Sequence, residues 1–128
     1  MSNTATIELA REIMPEFARL TGLSPARAHP RRYLWTDAFA VCNYLELYSQ
    51  TNNKAHLDLA LQLVDQVHHF LGKHRGDDPR QGWISGLDAQ QGEVHPTIGG
   101  LRIGKQLNER KPNEPSDERL EWDQDGQY

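Results

Sequence analysis

The chain has 128 residues, 37% of them apolar, with 14 Lys and Arg against 18 Asp and Glu, a formal net charge of -4. That length suits one domain, and the mild acidity removes any general attraction to nucleic acid or to anionic lipid. A single cysteine, Cys42, excludes an internal disulfide and fits a reducing, cytoplasmic compartment; no apolar run has the length of a signal peptide's core or a membrane span.

Three helices are expected in the first 71 residues. In the first, from about Thr6 to Leu20, Ile7, Ala10, Ile13, Met14, Phe17 and Ala18 recur at three- and four-residue spacing. Pro15 should kink or split it, and Gly22 should stop it. The second runs from about Thr36 to Gln50, with Thr36 or Asp37 as its cap. One stripe holds Ala38, Val41, Cys42, Leu45 and Tyr48, another Ala40, Tyr44 and Leu47. A helix apolar on two sides is usually covered on two sides. Cys42, inside a stripe, reads as an inert core thiol. The third helix runs from about Ala55 to Leu71. Asn52-Asn53 forms the turn between the second and third, a connection short enough to make an antiparallel hairpin.

Periodicity ends at Gly72. Residues 72–119 read as an irregular docking loop in which "GWISGL" and "IGGLRIG" settle on a surface as short strands. Residues 120–128 read as the start of a further element. The tail from Gln106 carries the acidic excess, with Glu109, Glu114, Asp117, Glu118, Glu121, Asp123 and Asp125 against Arg110, Lys111 and Arg119.

Gly99 to Gln106, "GGLRIGKQ", falls one residue short of a Walker A loop. The missing hydroxyl after Lys105 is the Mg²⁺ ligand, and no βαβ unit surrounds the motif. The glycines serve a tight turn or a close backbone approach. Asp65 and His69 share a helix face at i, i+4 spacing, but that face reads as solvated, whereas His68 reads as packed. "DQDG" at Asp123 cannot complete a calcium loop in the two residues that follow Gly126. Arg31-Arg32 and Asp77-Asp78 read as solvated charge runs. No cofactor and no metal centre are expected.

The stretch Tyr33–Leu71 resembles a repeat of the six-hairpin, (α/α)6-toroid glycosidases, and loosely the unsaturated glucuronyl hydrolases. The resemblance is carried by Trp35 and Phe39 (with Ala38 where that pattern has glycine), Leu47-Tyr48, the turn at Thr51-Asn52-Asn53 and Ala60-Leu61. It implies an all-α fold, a helical hairpin of toroid type with a long irregular loop, and a carbohydrate-directed protein holding only part of a toroid. Under it, Asp37 is the acid/base carboxylate of a pair whose second member is absent. Trp35 and Tyr33 would stack on a sugar, and Arg32 would orient a substrate carboxylate. The chain would be inactive by itself. The alternative is a small helical protein that covers its apolar faces by homo-oligomerising. Both expectations share one premise: the helices own more apolar surface than the chain can bury, so the chain is a piece of a larger body or needs partner copies.

Overall fold

A computed structural model of the chain describes residues 4–76 and 78–104. It is all-α, with α1 Thr4–Thr21, α2 Leu34–Thr51, α3 Lys54–Leu71 and α4 Ala89–Val94. The chain divides into two compact units, Met1–Gln66 and Val67–Tyr128, so the boundary falls within α3. No described helix is long and apolar enough to cross a membrane.

In the first unit, α1 runs unbroken through Pro15. Proline removes the amide that would serve the carbonyl of Arg11, and both residues lie on the exposed side of the helix. α1 ends as expected at Gly22, whose φ of 80° is open to glycine without strain. Leu23 N–H donates to Ala18 O at 2.9 Å, and the Arg27 guanidinium adds bonds to the carbonyls of Arg19 and Leu20. This crossed pattern satisfies the last carbonyls of the helix.

α2 starts two residues before Thr36, with Tyr33 at the N-cap and no side-chain cap. Asp37 lies inside the first turn and reaches back, its Oδ2 accepting from Tyr33 N–H at 3.1 Å. Asn52 closes α2 in the left-handed conformation, and Asn53 Oδ1 accepts from Ala55 N–H at the start of α3. Among the described residues the tightest helix pair is α1 with α2, rather than the α2–α3 hairpin the short turn suggests. The two helices meet through Met14 and Ala18 on one side and Ala40, Tyr44 and Leu47 on the other, all buried. Leu23, Ala60 and Leu63 are also buried in this unit, and Gln66 Nε2 on α3 donates to Gly22 O at 3.1 Å.

Among the described residues of the second unit neither expected short strand forms: Trp83 of "GWISGL" makes an isolated antiparallel bridge to Lys73, Arg102 of "IGGLRIG" is a bridge residue too, and the six-residue α4 lies between the two stretches. Asp88 caps α4, accepting from Gln91 N–H at 2.7 Å. Trp83 is buried between the Lys73 ammonium, 4.7 Å from its ring centre, and the backbone of Gly92, with the His69 ring 5.5 Å away. The glycine loop folds back as a backbone contact: a Cβ at Gly99 would collide with Ser85. Arg102 N–H donates to Leu71 O, and its guanidinium donates to Phe70 O and Lys73 O, each at 2.7 Å. A buried cation thus caps the end of α3. Of the glycines in the Walker-like match, Gly99 serves the close approach to Ser85 and Gly100 and Gly104 hold positive φ angles; Lys105, Gln106, the acidic tail and "DQDG" lie outside the described residues.

Candidate functional site

The two apolar stripes of α2 have opposite fates. Positions 37, 40, 44 and 47 form the stripe facing α1, and all four are buried. Of the other stripe, Ala38, Cys42 and Leu45 are open and Val41 and Tyr48 half-buried, while Trp35 and Phe39, which belong to neither expected stripe, extend the open side. Trp35 is 47% exposed, Phe39 73% and Leu45 43%, with Ala38 and Cys42 exposed between them. Cys42 is therefore a surface thiol, not the core thiol its apolar neighbours suggest. The inward wall is complete without this stripe, so the alternation between apolar and polar residues could not tell the two sides apart.

The residues of the expected sugar site are divided between these faces. Trp35 and Asp37 lie about 200° apart around the helix at about 100° per residue. Asp37 is 1% exposed and Arg32 2%. Trp35 and Tyr33 are exposed. The two charged members come together: Arg32 Nε approaches Asp37 Oδ2 at 3.7 Å, and the guanidinium lies 5.7 Å over the Phe17 ring. The aromatic members do not join them. A general acid or base must lie within reach of the proton it transfers. In this conformation Asp37 reaches only protein.

The inner cluster is sparsely bonded. Arg32 Nε donates to Arg31 O at 3.1 Å, while Arg32 Nη1 and Nη2 and Asp37 Oδ1 have no hydrogen-bond partner among the described residues. Burial pushes the Asp37 carboxyl up from 3.8 to about 6, against the pull of Arg32 and of the Tyr33 amide. Burial likewise lowers the Arg32 pKa, with Asp37 and Tyr44 opposing. Tyr44, fully buried, is pushed up to about 12, mainly by burial. Its hydroxyl donates to Met14 O at 2.8 Å. Tyr44→Phe is expected to cost about 1 kcal/mol in urea unfolding, the usual net contribution of one such bond.

Sequence reasoning did not reach two groups in the second unit. His69 Nε2 lies 2.7 Å from Glu93 Oε2, with both side chains partly exposed. The pair needs α4, which has too little periodicity to be read from the chain. Asp78 is buried and bonded to Arg80, not solvated as the acidic pair suggests. Among the described residues no group of three His, Cys, Asp or Glu side chains is placed to hold a metal ion.

No protein-family model, curated protein or solved structure matches this chain. The inner cluster is sealed and serves packing. The outer face of α2 is accessible and largely apolar, a surface available for binding.

Proposed function

We propose that the chain is a helical interaction module whose outer α2 face is covered by another polypeptide surface. The observation that carries this reading is the exposure of Trp35, Phe39 and Leu45 on one side of a helix whose opposite side is already closed. Leu9, Ile13 and Leu20 on α1 and Leu61 and Val64 on α3 are exposed as well. Contiguous apolar surface rimmed by polar residues marks an interaction site. Burying an exposed aromatic side chain contributes roughly 1.5–3 kcal/mol.

The test is substitution at Phe39, the most exposed of the large apolar side chains on this face. Phe39→Ser should change the unfolding free energy of the isolated chain by less than about 0.5 kcal/mol, the usual range for a surface site. It should also lower binding of a hydrophobic dye to the folded full chain. A loss of about 3–5 kcal/mol, the cost of truncating a core aromatic, would place Phe39 inside and remove the reading.

A carbohydrate-directed role, implied by the toroid resemblance, has narrower support. Trp35 and Tyr33 are exposed at the start of α2 and present aromatic surface of the kind that stacks on sugars. With Asp37 and Arg32 sealed, this reading is one of binding without hydrolysis. Quenching or shift of Trp35 fluorescence by acidic oligosaccharides, absent in Trp35→Ala, would support it.

A further inference from the structure

We infer that His56 is an acid-operated latch on the first turn of α3: taking up a proton drives its imidazole out of the packed face of the helix and opens that turn. The latch is independent of what covers the outer face of α2.

Three observations lead to it. The first is position. In the first unit the inward stripe of α3 runs through His56, Ala60 and Leu63, all buried, so it begins with a titratable ring where its other members are apolar. His56 is 7% exposed and lies in the first turn of the helix. Little holds that turn. Asn53 Oδ1 accepts from Ala55 N–H, and Asn53 O accepts from His56 N–H at 3.1 Å. A helix end opens at low cost, while Ala60 and Leu63 keep the following turns in place.

The second is bonding. His56 Nδ1 is buried and has no hydrogen-bond partner. A protonated imidazole carries an N–H on both nitrogens. The charged form would therefore bury a donor without an acceptor as well as a net charge, and both are costly in an interior.

The third is the surrounding charge. Burial lowers the His56 pKa, and Arg11 on α1 lowers it further. Glu8 and Glu12, which flank Arg11 on α1, Glu46 on α2, and Lys54 and Asp58 at the start of α3 are not among the groups that act on the ring. The positive end of the α3 dipole also disfavours a cation there.

In water the same ring has its ordinary pKa of about 6.5. The proton thus binds the open form in preference to the closed one, and acid selects the open form. The ratio of open to closed turn rises about tenfold for each pH unit below that value, as long as the buried ring stays neutral. Over the same range Asp37 adds stability to the first unit, because its folded pKa lies above its unfolded one. The acid response is therefore local to the start of α3.

The test is solution NMR of the full chain between pH 7.5 and 4.5. Amide exchange, corrected for the intrinsic rate at each pH, gives the protection of Leu57 and Asp58, whose N–H groups close the first turn. That protection should fall about tenfold per pH unit below about 6.5, while Leu63 and Val64 keep theirs. The ring C–H resonance of His56 should titrate below the ordinary histidine range, and Arg11→Gln should move that titration up. In His56→Phe, which cannot take up a proton, the protection of the first turn should not change with pH. A His56 ring that titrates as an ordinary histidine with first-turn protection unchanged would overturn the latch. Equal loss along the whole of α3 would overturn it too, and so would an acid response that persists in His56→Phe. If His56→Phe does not fold, the wild-type ring titration and the contrast between Leu57 and Leu63 decide alone.

Discussion

Asp37→Ala is expected to destabilise the protein by about 3 kcal/mol less at pH 8 than at pH 4, and Arg32→Met by about 3 kcal/mol at pH 8 but far less at pH 5. Breaking a buried ion pair by removing one partner typically costs about 3–5 kcal/mol, because the remaining charge is left uncompensated. The two ends of this pair are not equivalent. Without Asp37, the Arg32 guanidinium stays sealed and cannot discharge at any of these pH values, so the pH dependence of the loss is that of the missing carboxyl. Without Arg32, the Asp37 carboxylate escapes by taking up a proton. Arg32 is among the groups that hold its pKa down, so removing it raises the carboxyl above the value of about 6 that it has in the intact protein. At pH 5 Asp37 is then neutral and most of the penalty disappears. The double change Arg32→Met/Asp37→Leu, which replaces the pair with apolar groups, should be near neutral or stabilising.

The intact protein carries the same linkage. A carboxyl whose folded pKa lies above its unfolded value holds its proton more tightly when folded, so its contribution to stability falls as pH rises. With 3.8 unfolded and about 6 folded, the loss is confined to that window and amounts to about 3 kcal/mol at 1.36 kcal/mol per unit. His56 and His74, both lowered chiefly by burial, act in the other direction. Their stability is present above the ordinary histidine range and is lost on acidification. Urea unfolding of the wild type and Asp37→Asn across pH 4–8 isolates the aspartate as the difference between the two curves. A flat difference would show that Asp37 is solvated.

The second large effect lies in the other unit. Trp83→Ala should cost about 3–5 kcal/mol, the range for truncating a buried aromatic. It removes the wall on which Lys73, His69 and Gly92 rest. Gly92→Ala should also be severe, since the added methyl would enter the indole ring at Cδ1, Nε1 and Cγ. Overpacking of this kind costs about 1–3 kcal/mol. The two changes should not add. In a Trp83→Leu background the indole is gone, and Gly92→Ala becomes nearly neutral or favourable for α4, where alanine exceeds glycine by about 1 kcal/mol in helix propensity. A full additive penalty in the double variant would mean that Gly92 does not rest on Trp83.

Most of the helical frame could be read along the chain, because three- and four-residue spacing is a local property. The limits of α1, α2 and α3 fall within two residues of those expected, and Gly22 and Asn53 act as their chemistry predicts. What could not be read is direction. Both stripes of α2 are apolar, and only packing decides that Tyr44 and Leu47 turn inward while Phe39 and Cys42 turn out. The same choice separates Trp35 from Asp37, two residues that look like one site in the sequence. Arg32 looks like half of a solvated pair; its burial depends on Phe17 and Asp37, brought to it by the turn between α1 and α2. Arg102 lies inside a glycine pattern that reads as a tight turn or a close backbone approach, which says nothing of the arginine. Its role depends on the end of α3, about thirty residues away. α4 is too short to show a period.

The most direct measurement is sedimentation velocity of the full chain across a hundredfold dilution, with Phe39→Ser alongside. Wild type should shift towards a larger species with concentration, while Phe39→Ser, equally helical, should remain the smaller species at least tenfold further up the series. Wild type sedimenting as a single unchanged monomer throughout, indistinguishable from Phe39→Ser, would show that the open face of α2 needs no cover.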